Sequence, residues 1–181
     1  MTLRKINYLD AGGAIERGKA MAAERNVFDT AQSPSASGEP ASPGYNNFGQ
    51  ALGNSESGGD YGVMNAEGYG GKYQFGQDRL DDYNNTHGTR YTVEEILSNP
   101  GLQEEVFKWH IQDIDTFINS NGLNSYLGQN VNGVPVTMDG LRAAAHLGGK
   151  GGMRKMLESG GGYNPADSNG TSLTNYLAKF G

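Results

Sequence analysis

The stretch YNNFGQALGNSESGGDY, residues 45–61, decides how this chain is read. Tyr45, Phe48, Leu52 and Glu56 recur at the three- and four-residue spacing that puts side chains on one side of a helix. Glu56 therefore ends an apolar stripe, and Gly58-Gly59 stops the helix just beyond it. A helix C-terminus favours cations, so an acid placed there works against the macrodipole. A residue set against a local rule is a place to look for function. The apolar stripe would desolvate the carboxylate and raise its pKa, as a general acid for a glycosidic oxygen requires. The glycines that follow would let a polymeric substrate approach the backbone. An ordinary helix-end glutamate is the alternative left open.

Outward from this stretch, composition separates three regions. Residues 1–29 contain a weak helical segment with Ile15, Gly18, Ala22 and Arg25 along one side, too small a stripe to fold alone. Residues 30–44, rich in Ser, Pro, Ala and Gly, read as a linker. The periodic pattern occupies residues 45–181, where the domain is expected.

Within that domain the helix signals are local. Thr92 and Glu95 stand at capping-box spacing. Asn99 precedes Pro100 and opens the expected central helix, with Leu102, Val106, Trp109, Ile114, Phe117 and Ile118 on a wide apolar side. Thr137 caps a helix that Gly148-Gly149 should end, and a short helix, GGMRKMLES, follows. Leu173, Tyr176, Leu177 and Phe180 share one face of a last helix. Asn132-Gly133 signals a tight turn, and NAEGYGGKYQFG reads as glycine-rich extended chain. The expectation is a mainly α domain with one or two small β-hairpins. His87 is expected in a loop and His110 on a helix surface.

Composition excludes several functions. A net charge of -6 without a lysine or arginine block argues against nucleic acid as a partner. No apolar run follows Arg4 and Lys5, and none elsewhere could span a bilayer, so neither signal peptide nor membrane span is expected. There is no Cys, hence no disulfide framework and no thiolate chemistry. Three scattered histidines give no transition-metal site, and GGKGGMRK lacks the spacing of a phosphate loop. No metal and no cofactor is expected.

Three segments, ESGGDY, GYGGKYQFG and AAAHLGGKGG, occur in that order, each where a helix meets a turn. Together they resemble the lytic transglycosylase and goose-type lysozyme superfamily, in the form carried by bacteriophage peptidoglycan hydrolases. The resemblance covers roughly residues 45–180. It implies an α+β lysozyme-like fold and places Glu56-Ser57 at the catalytic helix end. Gln74 takes the position of the Gln in a Gly-x-Met-Gln-like segment. His146 stands where an Ala-Tyr-Asn-x-Gly-like helix carries Tyr, and Leu147 replaces its Asn. The resemblance thus implies Glu56 as the catalytic acid and Ser57, Gln74 and His146 as substrate contacts.

Aromatics near these motifs (Tyr61, Tyr69, Tyr73 and Phe75) pair flat rings with polar tips suited to sugars; Tyr73 is the preferred platform and Phe75 is assigned to the core. Hydrolysing glycosidases use a second carboxylate, for which Asp60 and Glu67 are the candidates. Members that cut by transglycosylation manage with one Glu. Asn65 and Gly71 stand where the phage-type lysozyme pattern needs Asp and Thr, so that pattern fails.

The expected function is a muramidase that cleaves the β-1,4 bond between the amino sugars of peptidoglycan glycan strands, as a lytic transglycosylase of a phage tail or virion. The alternatives are a two-carboxylate lysozyme and a non-catalytic tail protein that keeps the fold. Residues 1–44 are expected to dock on other virion proteins, and the place of action is the virion or the host periplasm and wall.

Overall fold

Pro43 opens the first helix, α1 (Pro43–Ser57), two residues ahead of the boundary expected at Tyr45. Proline suits a first helical turn, where its missing N–H would have had no intrahelical partner. The computed structural model describes residues 43–167 and 169–181, with side chains from residue 47 onward. The expected docking segment 1–29 and nearly all of the linker 30–44 lie outside the described residues.

After α1 come α2 (Gln77–His87), α3 (Val93–Leu97) and α4 (Pro100–Ser120). A 3₁₀ turn (Leu123–Tyr126), strands β1 (Asn130–Val131) and β2 (Val134–Pro135), α5 (Met138–Glu158) and α6 (Leu173–Phe180) complete the order. The protein is mainly helical. Among the described residues its one sheet is the antiparallel β1–β2 pair, in which Asn130 faces Pro135 and Val131 faces Val134. Asn132 and Gly133 between them take φ of 53° and 77°, the positive values that a two-residue hairpin turn of matching twist needs.

The helix starts follow from their caps. The Thr92 hydroxyl accepts from Glu95 N–H while the Glu95 carboxylate accepts from Thr92 N–H. Asn99 caps α4 ahead of Pro100, Thr137 caps α5, and Ser172 caps α6 in a box closed by Asn175. Gly149, at φ 71° and ψ 169°, breaks α5 where two separate helices were expected. The two halves are joined across that kink.

Two elements differ from the sequence reading. NAEGYGGKYQFG forms no regular hairpin; isolated bridges, Met64 with Gly70 and Gly70 with Phe75, and turn bonds such as Asn65 N–H to Tyr69 C=O tie it together. Helix α2 carries no strong apolar stripe, and its buried residues are Leu80, Tyr83 and Asn84. Its place comes from tertiary bonds instead.

The core runs along α4 through Leu102, Val106, Phe107, Ile111, Ile114 and Ile118. Phe48 of α1 meets the rings of Phe107 and Phe180, and Leu52 is fully buried beside them. Burial of one such leucine contributes roughly 2 kcal/mol. A Cβ on Gly148 would lie 2.3 Å from Leu173 Cδ2, so α5 and α6 can touch only because glycine stands there. That close contact carries α6, and Tyr176 with it, toward the end of α1.

Candidate active site

The stripe of α1 that buries Phe48 and Leu52 carries Glu56 inward as well, and its side chain is only 1% exposed. The helix closes behind it: Gly58 N–H donates to Asn54 C=O and Gly59 N–H to Gly53 C=O, with φ of 71° and 84°. Tyr176 of α6 donates its hydroxyl to Glu56 Oε1 at 2.7 Å. Burial first, then the charge of Glu56 and this bond, push the Tyr176 phenol well above its ordinary range. It therefore keeps its proton and acts as a donor. His146 of α5 places Nε2 3.7 Å from the same oxygen, just outside hydrogen-bond reach.

A line of polar groups continues from His146. Its Nδ1 lies 3.1 Å from His110 Nε2 on α4, and His110 Nδ1 accepts from Arg79 Nε at 2.8 Å. Arg79 also bonds Asp82 at 3.0 Å and Asp113 at 2.6 Å, and Lys150 reaches Asp113 at 2.7 Å. Burial raises the Asp113 carboxyl, but the bonds from Lys150 and Arg79 outweigh it and hold the group below the usual carboxylate range. His110 is thus buried, at 6% exposure, and not a helix-surface residue. The reason is that α4 is packed by α2 on one side and by α5 on another. His87 ends α2 instead of lying in a loop; its ring stacks on Tyr83 and its Nδ1 faces Tyr83 C=O at 2.9 Å.

A cleft of about 1100 Å³ opens between the 67–79 segment, α2, α4 and α5. Its wall includes Tyr69, Arg79, Trp109, His110, Asp113 and His146. The Arg79 guanidinium lies over the Trp109 ring at 4.0 Å, and both belong to the wall. Glu56 is not part of this wall. His146 is the residue that touches both the cleft and Glu56.

The other expected site residues are spread around this arrangement. Ser57 donates its hydroxyl to Lys72 C=O at 2.9 Å and ties the end of α1 to the loop below. Tyr73 is 1% exposed, its ring stacked on Phe107 at 3.9 Å between centroids, and its hydroxyl bonds both oxygens of Glu104. It is a core residue and offers no face to a sugar, a correction to its reading as a platform. The polar tip that favoured an exposed position is satisfied inside by Glu104. Gln74 is also buried, at 1%, with φ of 49°; its Nε2 donates to Gly71 C=O, and its Oε1 has no hydrogen-bond partner among the described residues. Phe75 is in the core as expected. Asp60 is exposed and accepts from Gly62 N–H, whereas Glu67 is exposed and lies on the cleft.

Several residues that organise the site escaped the sequence reading. Glu104 accepts from Lys72 at 2.8 Å and from Tyr61 at 2.6 Å besides Tyr73. Gln103, fully buried, donates to Tyr61 C=O and Ile96 C=O and accepts from Lys72 N–H. These bonds fasten the loop after Glu56 onto α4. Only Tyr176 left a usable signal: a tyrosine on a buried helix face needs a partner for its hydroxyl.

Among the described residues no group of His, Asp and Glu is arranged to hold a metal ion, and no helix is long and apolar enough to cross a membrane. Compared with known protein families, curated proteins and solved structures, the chain finds no match.

Proposed function

We propose that this domain, on a lysozyme-like arrangement of helices, cleaves the β-1,4 bond between the two amino sugars of peptidoglycan, with Glu56 as acid and then base. One observation carries the reading. A carboxylate with a 1% exposed side chain ends α1, bonded by a protonated phenol and joined to a large cleft through His146. Glu56 gives its proton to the glycosidic oxygen as the C1–O bond breaks. Its carboxylate then takes the proton of the sugar's own 6-hydroxyl as that oxygen bonds C1, leaving a 1,6-anhydro end. The His146 ring must turn aside for a sugar oxygen to reach Glu56. Tyr69 on the wall is a sugar contact, and His146, 1% exposed at its side chain, becomes one when its ring turns. A hydrolytic variant of the same chemistry would recruit Glu67, which lies on the cleft, or Asp60 to activate water.

A second reading, a non-catalytic structural protein, draws on the fact that Glu56 does not line the cleft. Purified peptidoglycan separates the two. The native protein should release products that are one water lighter than hydrolysed ones. Glu56→Gln, which keeps shape and loses proton transfer, should lose roughly 10²–10⁴-fold. Cleavage by the variant at the parent rate, or none by the native protein, removes the enzyme reading.

The proposal places the enzyme in a phage tail or related particle, acting on the host wall, with residues 1–44 docked on a neighbouring virion protein. The support is compositional: a weak apolar stripe within residues 1–29, followed by a Ser/Pro-rich stretch. Deletion of residues 1–44 should leave cleavage of purified wall unchanged and strip the protein from particles; normal incorporation would put the anchor on the domain.

A further inference from the structure

We infer that Arg79 is a positioning residue that acts on Glu56 through two histidines, by setting which nitrogen of each ring carries the proton. The bonds leave one consistent assignment. A guanidinium N–H only donates, so the His110 Nδ1 that faces Arg79 Nε at 2.8 Å must be the bare nitrogen. A neutral His110 then carries its proton on Nε2. A doubly protonated ring would set two N–H groups against each other. His110 Nε2–H donates to His146 Nδ1 at 3.1 Å, which makes that nitrogen an acceptor in turn. His146 therefore holds its proton on Nε2, the atom 3.7 Å from Glu56 Oε1.

The chain is directional. Arg79 on α2 donates to His110 on α4, His110 donates to His146 on α5, and His146 aims an N–H at the carboxylate that Tyr176 already bonds. Arg79 is itself held by Asp113 and Asp82, which keeps its Nε–H directed at His110. In this position the His146 lone pair is engaged by His110 and is turned away from Glu56. A protonated Glu56 would find an N–H, not a lone pair, across that gap, and only a shift of about half an ångström separates His146 Nε2 from bonding range.

His87 supplies an internal control. Its Nδ1 lies 2.9 Å from Tyr83 C=O, which only accepts, so this ring carries a proton on Nδ1. The three histidines of the chain should thus show two tautomers in a known distribution.

The test is a long-range ¹H–¹⁵N correlation of the imidazoles in the ¹⁵N-labelled full chain at neutral pH, with His87→Gln identifying the control ring. The native protein should show Nε2–H patterns for His110 and His146 and Nδ1–H for His87. In Arg79→Met, which removes donor and charge but keeps a long side chain, both buried rings should move to mixed-tautomer shifts. Arg79→Lys should leave them closer to the native pattern. A native His110 or His146 protonated on Nδ1 overturns the inference, with no variant needed. So does an Arg79→Met spectrum in which both rings are unchanged. The measurement reads protons and not turnover, so its failure is distinct from failure of the glycan-cleaving proposal.

Discussion

Two carboxylates in this molecule invite comparison, because both are fixed by tyrosine hydroxyls and yet are built differently. Glu104 receives hydrogen bonds from Tyr61, Tyr73 and the ammonium of Lys72, whose own side chain is 6% exposed. Burial raises the Glu104 carboxyl, but the bonds from Lys72 first and then from the two tyrosines bring the net shift below its ordinary range. This group is held as an anion beside a permanent cation. Glu56 instead faces Tyr176 and His146, a phenol and an imidazole, at 1% side-chain exposure. Its partners are a phenol that keeps its proton and an imidazole, with no permanent cation beside them. The difference teaches that an anion paired with a cation rivets a loop, while a buried carboxyl met by donors that bring no permanent charge is suited to proton transfer.

Exchanging one oxygen for an amide at each site is the strongest way to break the comparison. Glu56→Gln should lose roughly 10²–10⁴-fold in wall cleavage, equal to about 3–5 kcal/mol of barrier, and keep its melting temperature. Glu104→Gln should do the reverse, holding activity within about threefold and losing roughly 1–3 kcal/mol of stability. Paired activity and thermal-melt measurements decide it. A Glu104→Gln protein as inactive as Glu56→Gln would erase the distinction between rivet and reagent.

The loop between the two carboxylates gives the next effect. Gly71 has φ of 77°, and a Cβ there would lie 2.1 Å from Gln103 Oε1. Gly71→Ala combines left-handed strain with displacement of a residue that makes three buried bonds, and should cost about 3 kcal/mol in denaturant unfolding. A loss below about 1 kcal/mol would mean that Gln103 does not hold the loop.

Acid should sharpen the contrast. The folded-state pKa of Glu104 is lowered, so its contribution is present above the ordinary carboxylate range and is lost as pH falls through the lowered value. Glu104→Gln should therefore be less stable than the native protein at neutral pH and nearly equal to it once the pH lies below the lowered value. Urea midpoints measured across that range test the sign; a gap that widens toward acid contradicts it. The smallest effects belong to Asp60→Asn and Glu67→Gln, each expected to change cleavage by less than roughly tenfold. If either matches Glu56→Gln, two-carboxylate hydrolysis replaces transglycosylation.

The helix framework was legible because its signals are local. Thr92 with Glu95, Asn99 with Pro100, Thr137, and the Asn132-Gly133 turn each satisfy backbone groups within a few residues of themselves. Helix α2 was not legible: QDRLDDYNNTH is polar nearly throughout and is held by Arg79 on Trp109, His110 and Asp113 of α4. Tyr73 misled for a related reason. Its amphipathic ring suits a sugar as well as a core, and Glu104, thirty-one residues away, decided between them.

By itself, then, the sequence determined a mainly helical domain and set Glu56 at the end of an apolar stripe, because periodicity and caps are properties of short segments. The tertiary structure alone decided what surrounds that carboxylate. Tyr176 is 120 residues from Glu56 in the chain, and His110 is 36 from His146. Their meeting depends on glycine at position 148, which lets α6 settle on α5, and on the burial of two faces of α4. Hydrogen bonds between distant residues leave no period and no cap in a sequence, since their partners are chosen by packing.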